Sequence, residues 1–179
     1  KLMDPKDVGK HFKSGFWMEP KYDGERIQIH KKGDTLRCFS RQGQEWTSLY
    51  QPLFDQIQGQ RLIKADTCIL DGELCGWHRE KQQWSNFYSL KPLVLKKGGQ
   101  MPRQADGRMR GGAPGGTHVQ EQDLDMEQSQ LVFIAFDLLM IDGTIVVEKP
   151  LSERRDMLRS LIKQEEKVLE VIEWKVGHT

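Results

Sequence analysis

The chain has 179 residues, 27 basic against 26 acidic side chains, a net charge of +1, and 37% hydrophobic and 30% charged residues, which predicts one domain with a real core and a well-solvated surface. A charge so near zero excludes the basic excess of a stand-alone nucleic-acid binder, so any affinity for DNA must come from a local patch or from other domains. No apolar run approaches the roughly 20 residues of a membrane helix and no secretory signal opens the chain, so no membrane partner is expected. Cys38, Cys68 and Cys75 are odd in number and lack CxxC spacing, which argues for a reducing compartment and against a disulfide framework or zinc site. His11, His30, His78, His118 and His178 are dispersed without ligand spacing and read as surface or packing residues.

In chain order, Phe16 to Met18 leads into the run Glu19-Pro20-Lys21-Tyr22-Asp23-Gly24-Glu25-Arg26. In an extended strand, residues two apart share a face, so Lys21 and Asp23 are expected to project together while Tyr22 turns the other way. Gly24 then breaks the strand, and Arg26 reaches back toward an anionic ligand. A free lysine amine, with a pKa of about 10.4, needs desolvation or neighbouring positive charge to act as a nucleophile. Ile27 and Ile29 alternate with Gln28 and His30 ahead of Lys32-Gly33-Asp34, a hairpin signature whose second strand is Leu36 to Ser40. After Pro52, Leu53, Phe54 and Ile57 form a short helical stripe.

Cys68 to Leu74 reads as a strand, with Asp71 and Glu73 on one face, able to hold ribose hydroxyls or Mg2+; Asp71 followed by Gly72 also suits a turn. The segment from Gly76 to Lys81 turns into a strand from Gln83 to Phe87. Residues 98–116, rich in glycine, proline and basic side chains, predict a flexible surface insertion. Within it, Gly111-Gly112-Ala113-Pro114-Gly115-Gly116 is not a P-loop, because no strand leads in and no Gly-Lys-Ser or Gly-Lys-Thr follows. Lys91, Lys96-Lys97 and the basic stretch from Arg103 to Arg110 read as solvated loop. Leu131 to Ile141 is apolar except for Asp137, as in a strand buried on both faces. Ser152 is expected to cap a helix carrying Met157, Leu158, Leu161 and Ile162, and Val168 to Val176 returns to strand-like residues.

The octet Glu19 to Arg26 resembles motif I of the covalent nucleotidyltransferases, the superfamily of ATP-dependent DNA ligases, RNA ligases and messenger-RNA capping enzymes. Ser40-Arg41-Gln42-Gly43 is similar to the Ser-Arg-Asn-Gly segment of the ligases, and Ile69-Leu70-Asp71-Gly72-Glu73-Leu74 to motif III. Val132 to Leu139, then Asp142-Gly143 and Pro150-Leu151-Ser152-Glu153-Arg154-Arg155, resemble motif IIIa and the helix after it. Order and spacing cover nearly the whole chain. Gly72 and Glu25 look most like the DNA ligase IV branch, while Tyr22 and Gln42 depart from it and leave archaeal or other eukaryotic-type ligases open.

The resemblance implies an α+β, ATP-grasp-like nucleotidyltransferase fold of antiparallel-rich sheets flanked by helices, and a partial adenylation domain over residues 1–179. It implies that Lys21 attacks the α-phosphate of ATP to form lysine-AMP, with ATP and Mg2+ as cofactors. Glu19 would sit beside adenine, Arg26 and Arg41 near ribose and phosphates, Glu73 on ribose or Mg2+, and Phe136 against the base, with Asp23 and Gly24 in support. Motifs IV and V and the flanking DNA-binding and oligonucleotide-binding-fold domains have no counterpart here, so the chain is expected to be a fragment with weak or no activity alone. The partners implied are nicked or broken double-stranded DNA, through the full-length protein, and end-joining scaffold proteins, in DNA repair and recombination. The implied location is the nucleus in a eukaryote and the cytoplasm otherwise. An RNA ligase, a capping guanylyltransferase and a non-catalytic nucleotide- or partner-binding module are the alternatives.

Overall fold

The computed structural model describes residues 16–85 and 128–177, which fall into two compact units, 23–85 with 128–171 and a smaller one of 16–22 with 172–177. The insertion expected at 98–116, the basic pieces around it and the end of the strand expected to reach Phe87 lie outside the described residues.

In the larger unit, β2 (Glu25–Lys32) and β3 (Thr35–Ser40) form the expected hairpin, with Lys32 opposite Thr35. The two-residue loop is possible because Gly33 takes φ +54°, a conformation that costs a residue with a Cβ about 1 kcal/mol or more. Helix α1 (Gln51–Gly59) follows, with Pro52 in its first turn and Leu53, Phe54 and Ile57 buried. Strand β4 (Thr67–His78) pairs antiparallel with β2 on one side and with β6 (Ser129–Ile141) on the other. The sheet order is β3-β2-β4-β6-β7, where β7 is Thr144–Ile145; β5 (Gln83–Ser85) joins β4, and β8 (Leu169–Val171) runs parallel to β6. Helix α2 (Leu151–Leu161) packs along β6.

Alternation divides the β2 side chains between two faces. Ile27 and Ile29 are fully buried and share the core with Leu36, Cys38, Leu70, Leu74 and Phe133, whereas Arg26 is exposed and Gln28 and His30 are half-buried. Tyr50, at the start of α1, donates its hydroxyl to Glu25 across 2.6 Å in the buried layer. Aromatic bulk, β-branched residues and apolar helix positions on that one face supply the hydrophobic stabilisation.

Several sequence expectations change. Strand β2 begins only at Glu25, so residues 19–23 are not part of a strand, and the alternation argued for Lys21 and Asp23 does not apply. Gly24 fits tightly instead of merely breaking a strand: a Cβ there would overlap the Leu74 carbonyl oxygen and stand 2.9 Å from Cys75 Sγ. Asp71 and Gly72 lie inside β4, which removes the turn reading. Strand β4 also continues past Gly76 to His78, because Gly76 is paired on both sides, to Leu131 and to Ser85. Strand β6 is buried over Leu131–Ala135 but half-exposed at Phe136 and Asp137. Ser152 makes no cap; Pro150 is the N-cap residue and Glu153 supplies negative charge to the first turn of α2.

In the smaller unit, β1 (Phe16–Met18) pairs antiparallel with β9 (Lys175–Gly177). Trp17 and Trp174 stack there at 5.2 Å between ring centroids and 18° between planes.

Candidate functional site

The exposed face of the β2–β4–β6 strands collects the charged residues that the sequence singled out. Arg26 stands opposite Glu73 in the register, and Gln28 opposite Asp71, so alternation presents Arg26, Asp71 and Glu73 on one face. Arg26 donates through Nε to Asp71 Oδ1 at 3.1 Å and through Nη2 to Oδ2 at 2.6 Å, a two-pronged carboxylate pair. The Arg26 side chain is 51% exposed and that of Asp71 only 5%, so the guanidinium faces outward from a buried anchor. Its hydrogen bonds to Asp71, with the charges of Asp71, Glu73 and Asp137, raise the arginine's pKa, offset in part by burial.

Phe136 reaches this face because β6 is irregular. Asp71 pairs with Asp137 but Gly72 pairs with Ala135, so Phe136 is an extra residue on its strand. Strict alternation would send Phe136 and Asp137 to opposite faces; a bulge turns successive side chains toward the same one. The Arg26 guanidinium carbon lies 5.5 Å from the Phe136 ring centroid, within cation–π range.

Arg41 follows β3 in a turn closed by three hydrogen bonds: Gly43 N–H to Ser40 O at 2.8 Å, Ser40 N–H to Gln44 O at 2.8 Å, and Gln44 N–H to Ser40 Oγ at 3.2 Å. Gly43, at φ +74°, permits that turn. An open cleft of about 430 Å³ is lined by Arg26, Gln28, His30, Phe39, Arg41 and Asp71 among others, so both arginines border one space. Burial, with a smaller contribution from Arg37, lowers the pKa of His30, so the imidazole adds no charge at neutral pH. A second cleft of about 420 Å³, lined by Lys31, Ile57, Arg61, Ile63 and Lys64, contains none of the motif residues.

The structure thus brings together Arg26, Arg41, Asp71, Glu73 and Phe136. Glu19 and Lys21 are exposed and belong to the smaller unit, while Asp23 and Gly24 open the larger one. Asp71 gives both oxygens to Arg26. Among the described residues no cluster of three or more histidine, cysteine or acidic side chains could hold a metal by itself.

Sequence reasoning gave Asp137 and Arg154 no site role. Arg154 donates through Nε to Asp137 Oδ1 at 2.8 Å and through Nη2 to Oδ2 at 2.9 Å, and its Nη1 donates to the Lys149 carbonyl at 2.5 Å. A lone carboxylate in an apolar strand signals a need for a partner.

This antiparallel-rich α+β architecture is that of the nucleotidyltransferase domains of ATP-dependent DNA ligases. It matches the solved structure of mycobacterial DNA ligase D complexed with ATP and MES at a TM-score of 0.54 and 20% identity, over 88% of this chain and 39% of that one. The chain belongs to the ATP dependent DNA ligase domain family, whose model matches residues 2–179. It is 36% identical over 158 residues to DNA ligase 4 of Dictyostelium discoideum, covering 88% of this chain and 13% of that protein. It is 29% identical over 154 residues to DNA ligase 4 of Arabidopsis thaliana, covering 86% of this chain and 10% of that protein. The chain therefore spans only about an eighth or less of the length of these relatives.

Proposed function

We propose that the chain is part of the adenylation domain of an ATP-dependent DNA ligase of the DNA ligase 4 type. The observation that carries this reading is the Arg26 guanidinium, forked on buried Asp71, set against Phe136 and bordering the same cleft as Arg41. A guanidinium held in this way suits phosphate oxygens, and the half-exposed Phe136 ring suits a purine.

Lys21 Nζ, as the free amine, attacks the α-phosphorus of ATP. The new P–N bond replaces the bond to pyrophosphate, which leaves with its electron pair, and the nitrogen releases one proton to solvent to give lysine-AMP. Arg26 and Arg41 neutralise phosphate charge, Glu73 holds the ribose or Mg2+, Glu19 flanks the adenine, and Asp23 and Gly24 set the chain entering β2. When bound, Mg2+ supplies further charge neutralisation on the phosphates. In the full-length protein, AMP passes to a 5′-phosphate of nicked or broken double-stranded DNA and the break is sealed, in end joining and repair. End-joining scaffold proteins are its partners and the nucleus its location in a eukaryote.

Intact-mass measurement of the full-length protein after incubation with ATP and Mg2+ tests this. One added AMP is expected, absent in Lys21→Ala and reduced in Arg26→Ala. No adduct in the wild type, or an adduct that survives Lys21→Ala, overturns the reading; preference for GTP redirects it to cap chemistry.

A further inference from the structure

A row of four charges crosses the sheet: Arg26 on β2, Asp71 on β4, Asp137 on β6 and Arg154 on α2. Each arginine grips its aspartate with Nε and Nη2, at 3.1 and 2.6 Å for Arg26 and at 2.8 and 2.9 Å for Arg154. The two aspartates are register partners on adjacent antiparallel strands, where directly opposed like charges repel. Their side chains are 5% and 20% exposed, so water screens that repulsion only weakly.

The two ends of the row differ. Arg154 is 15% exposed and also donates to the carbonyls of Lys149 and Val147, at 2.5 and 3.3 Å, so it is held in place and turned away from solvent. Arg26 is half-exposed at the cleft, and the negative charge of Asp137 reaches it. With Arg154 neutralised, Asp137 would keep the Leu138 N–H on Oδ1 at 2.8 Å but lose its charge partner, and would compete with Asp71 for the Arg26 guanidinium.

We propose that Arg154 is a positioning residue: by neutralising Asp137 it keeps Arg26 forked on Asp71 and poised at the cleft. The link to nucleotide binding rests on the reading of Arg26 given above. A purely structural Arg154 would stitch α2 to β6 and leave Arg26 undisturbed.

Two measurements separate these roles, NMR on the chain and ATP titration on the full-length protein. The first follows the Arg26 side-chain Nε–H signal by NMR. Arg154→Gln is expected to shift it and speed its exchange with water, and Asp137→Asn combined with Arg154→Gln to restore it, because the competing charge goes with its partner. An unmoved signal in Arg154→Gln, or no recovery in the double variant, overturns the proposal whatever happens to nucleotide binding. If Arg154→Gln does not fold, Arg154→Lys carries the test: it keeps the charge but not the fork, and the signal should move part of the way, whereas a signal identical to wild type counts against.

The second measurement is ATP titration. Arg154→Gln should weaken binding by about 3- to 10-fold in the wild-type background and by less than about 1.5-fold when Arg26 is already alanine, the non-additivity expected of coupled residues. Equal losses in both backgrounds overturn the coupling. If Arg26→Ala itself leaves ATP binding unchanged, the functional reading of Arg26 fails, while the NMR result still decides whether Arg154 positions it.

Discussion

Tyr50 and Glu25 show how one buried hydrogen bond anchors the strand that carries Arg26. Both residues are nearly inaccessible, and the 2.6 Å bond joins the start of α1 to the first residue of β2. Burial and the Glu25 charge raise the phenol's pKa, so the hydroxyl keeps its proton and donates throughout the neutral range. Tyr50→Phe removes the donor but little volume, and the buried carboxylate loses a charge-assisted hydrogen bond. We expect about 1–3 kcal/mol of lost stability by urea denaturation; a change below about 0.5 kcal/mol would mean that Glu25 is satisfied without the phenol. Motif resemblance singled out Arg26, Glu73 and Phe136, because each stands in a recognisable local pattern. It could not expose the anchor of Arg26, since Asp71 lies 45 positions away and only strand pairing brings the two together.

At the scale of elements, the irregular pairing of β4 with β6 places Phe136 beside Arg26. The register shifts between Asp71 and Gly72, and again between Ile69 and Leu70. Gly72 makes the first of these possible: a Cβ would come within 2.5 Å of Phe133 Cε2 and 2.6 Å of the Ile134 carbonyl oxygen. The ring could rotate away, but the backbone oxygen belongs to the neighbouring strand and cannot move without opening the ladder. Gly72→Ala is therefore expected to cost about 1–3 kcal/mol in urea melts, and to disturb Phe136 as well. Gly59→Ala is the control, because nothing lies within 4 Å of its Cβ position and it ends α1 without a positive φ; it should be neutral or slightly stabilising. Hairpin, helices and central strands were legible from alternation and helical spacing. The bulge was not, because an extra residue leaves no mark in an apolar run, and neither was the length of β4, whose Gly76 reads as a break until its partners on both sides are known.

For the larger unit as a whole, the three thiols report cooperative stability. Cys38 lies in β3, Cys68 and Cys75 at opposite ends of β4, and all are at most 1% exposed. Burial is the main cause that pushes Cys38 and Cys75 from an ordinary 9.0 to about 12 and Cys68 to about 11. Between pH 9 and those values the folded state keeps protons that the unfolded chain releases, so it binds more protons and stability must fall as pH rises. Tyr50, whose pKa is also raised, contributes with the same sign. Urea midpoints should therefore hold steady from pH 7 to 8 and decline from about pH 9 upward, less steeply when the three cysteines are replaced by alanine. Nucleophilic attack needs a thiolate and access to it, and the native unit offers neither. Alkylation at pH 8 should be slow, modify all three sites together, and accelerate in proportion to the unfolded population as urea is added. One cysteine reacting at the rate of a free thiol in native protein would show that its strand opens independently, and the common dependence of β3 and β4 on one core would be wrong.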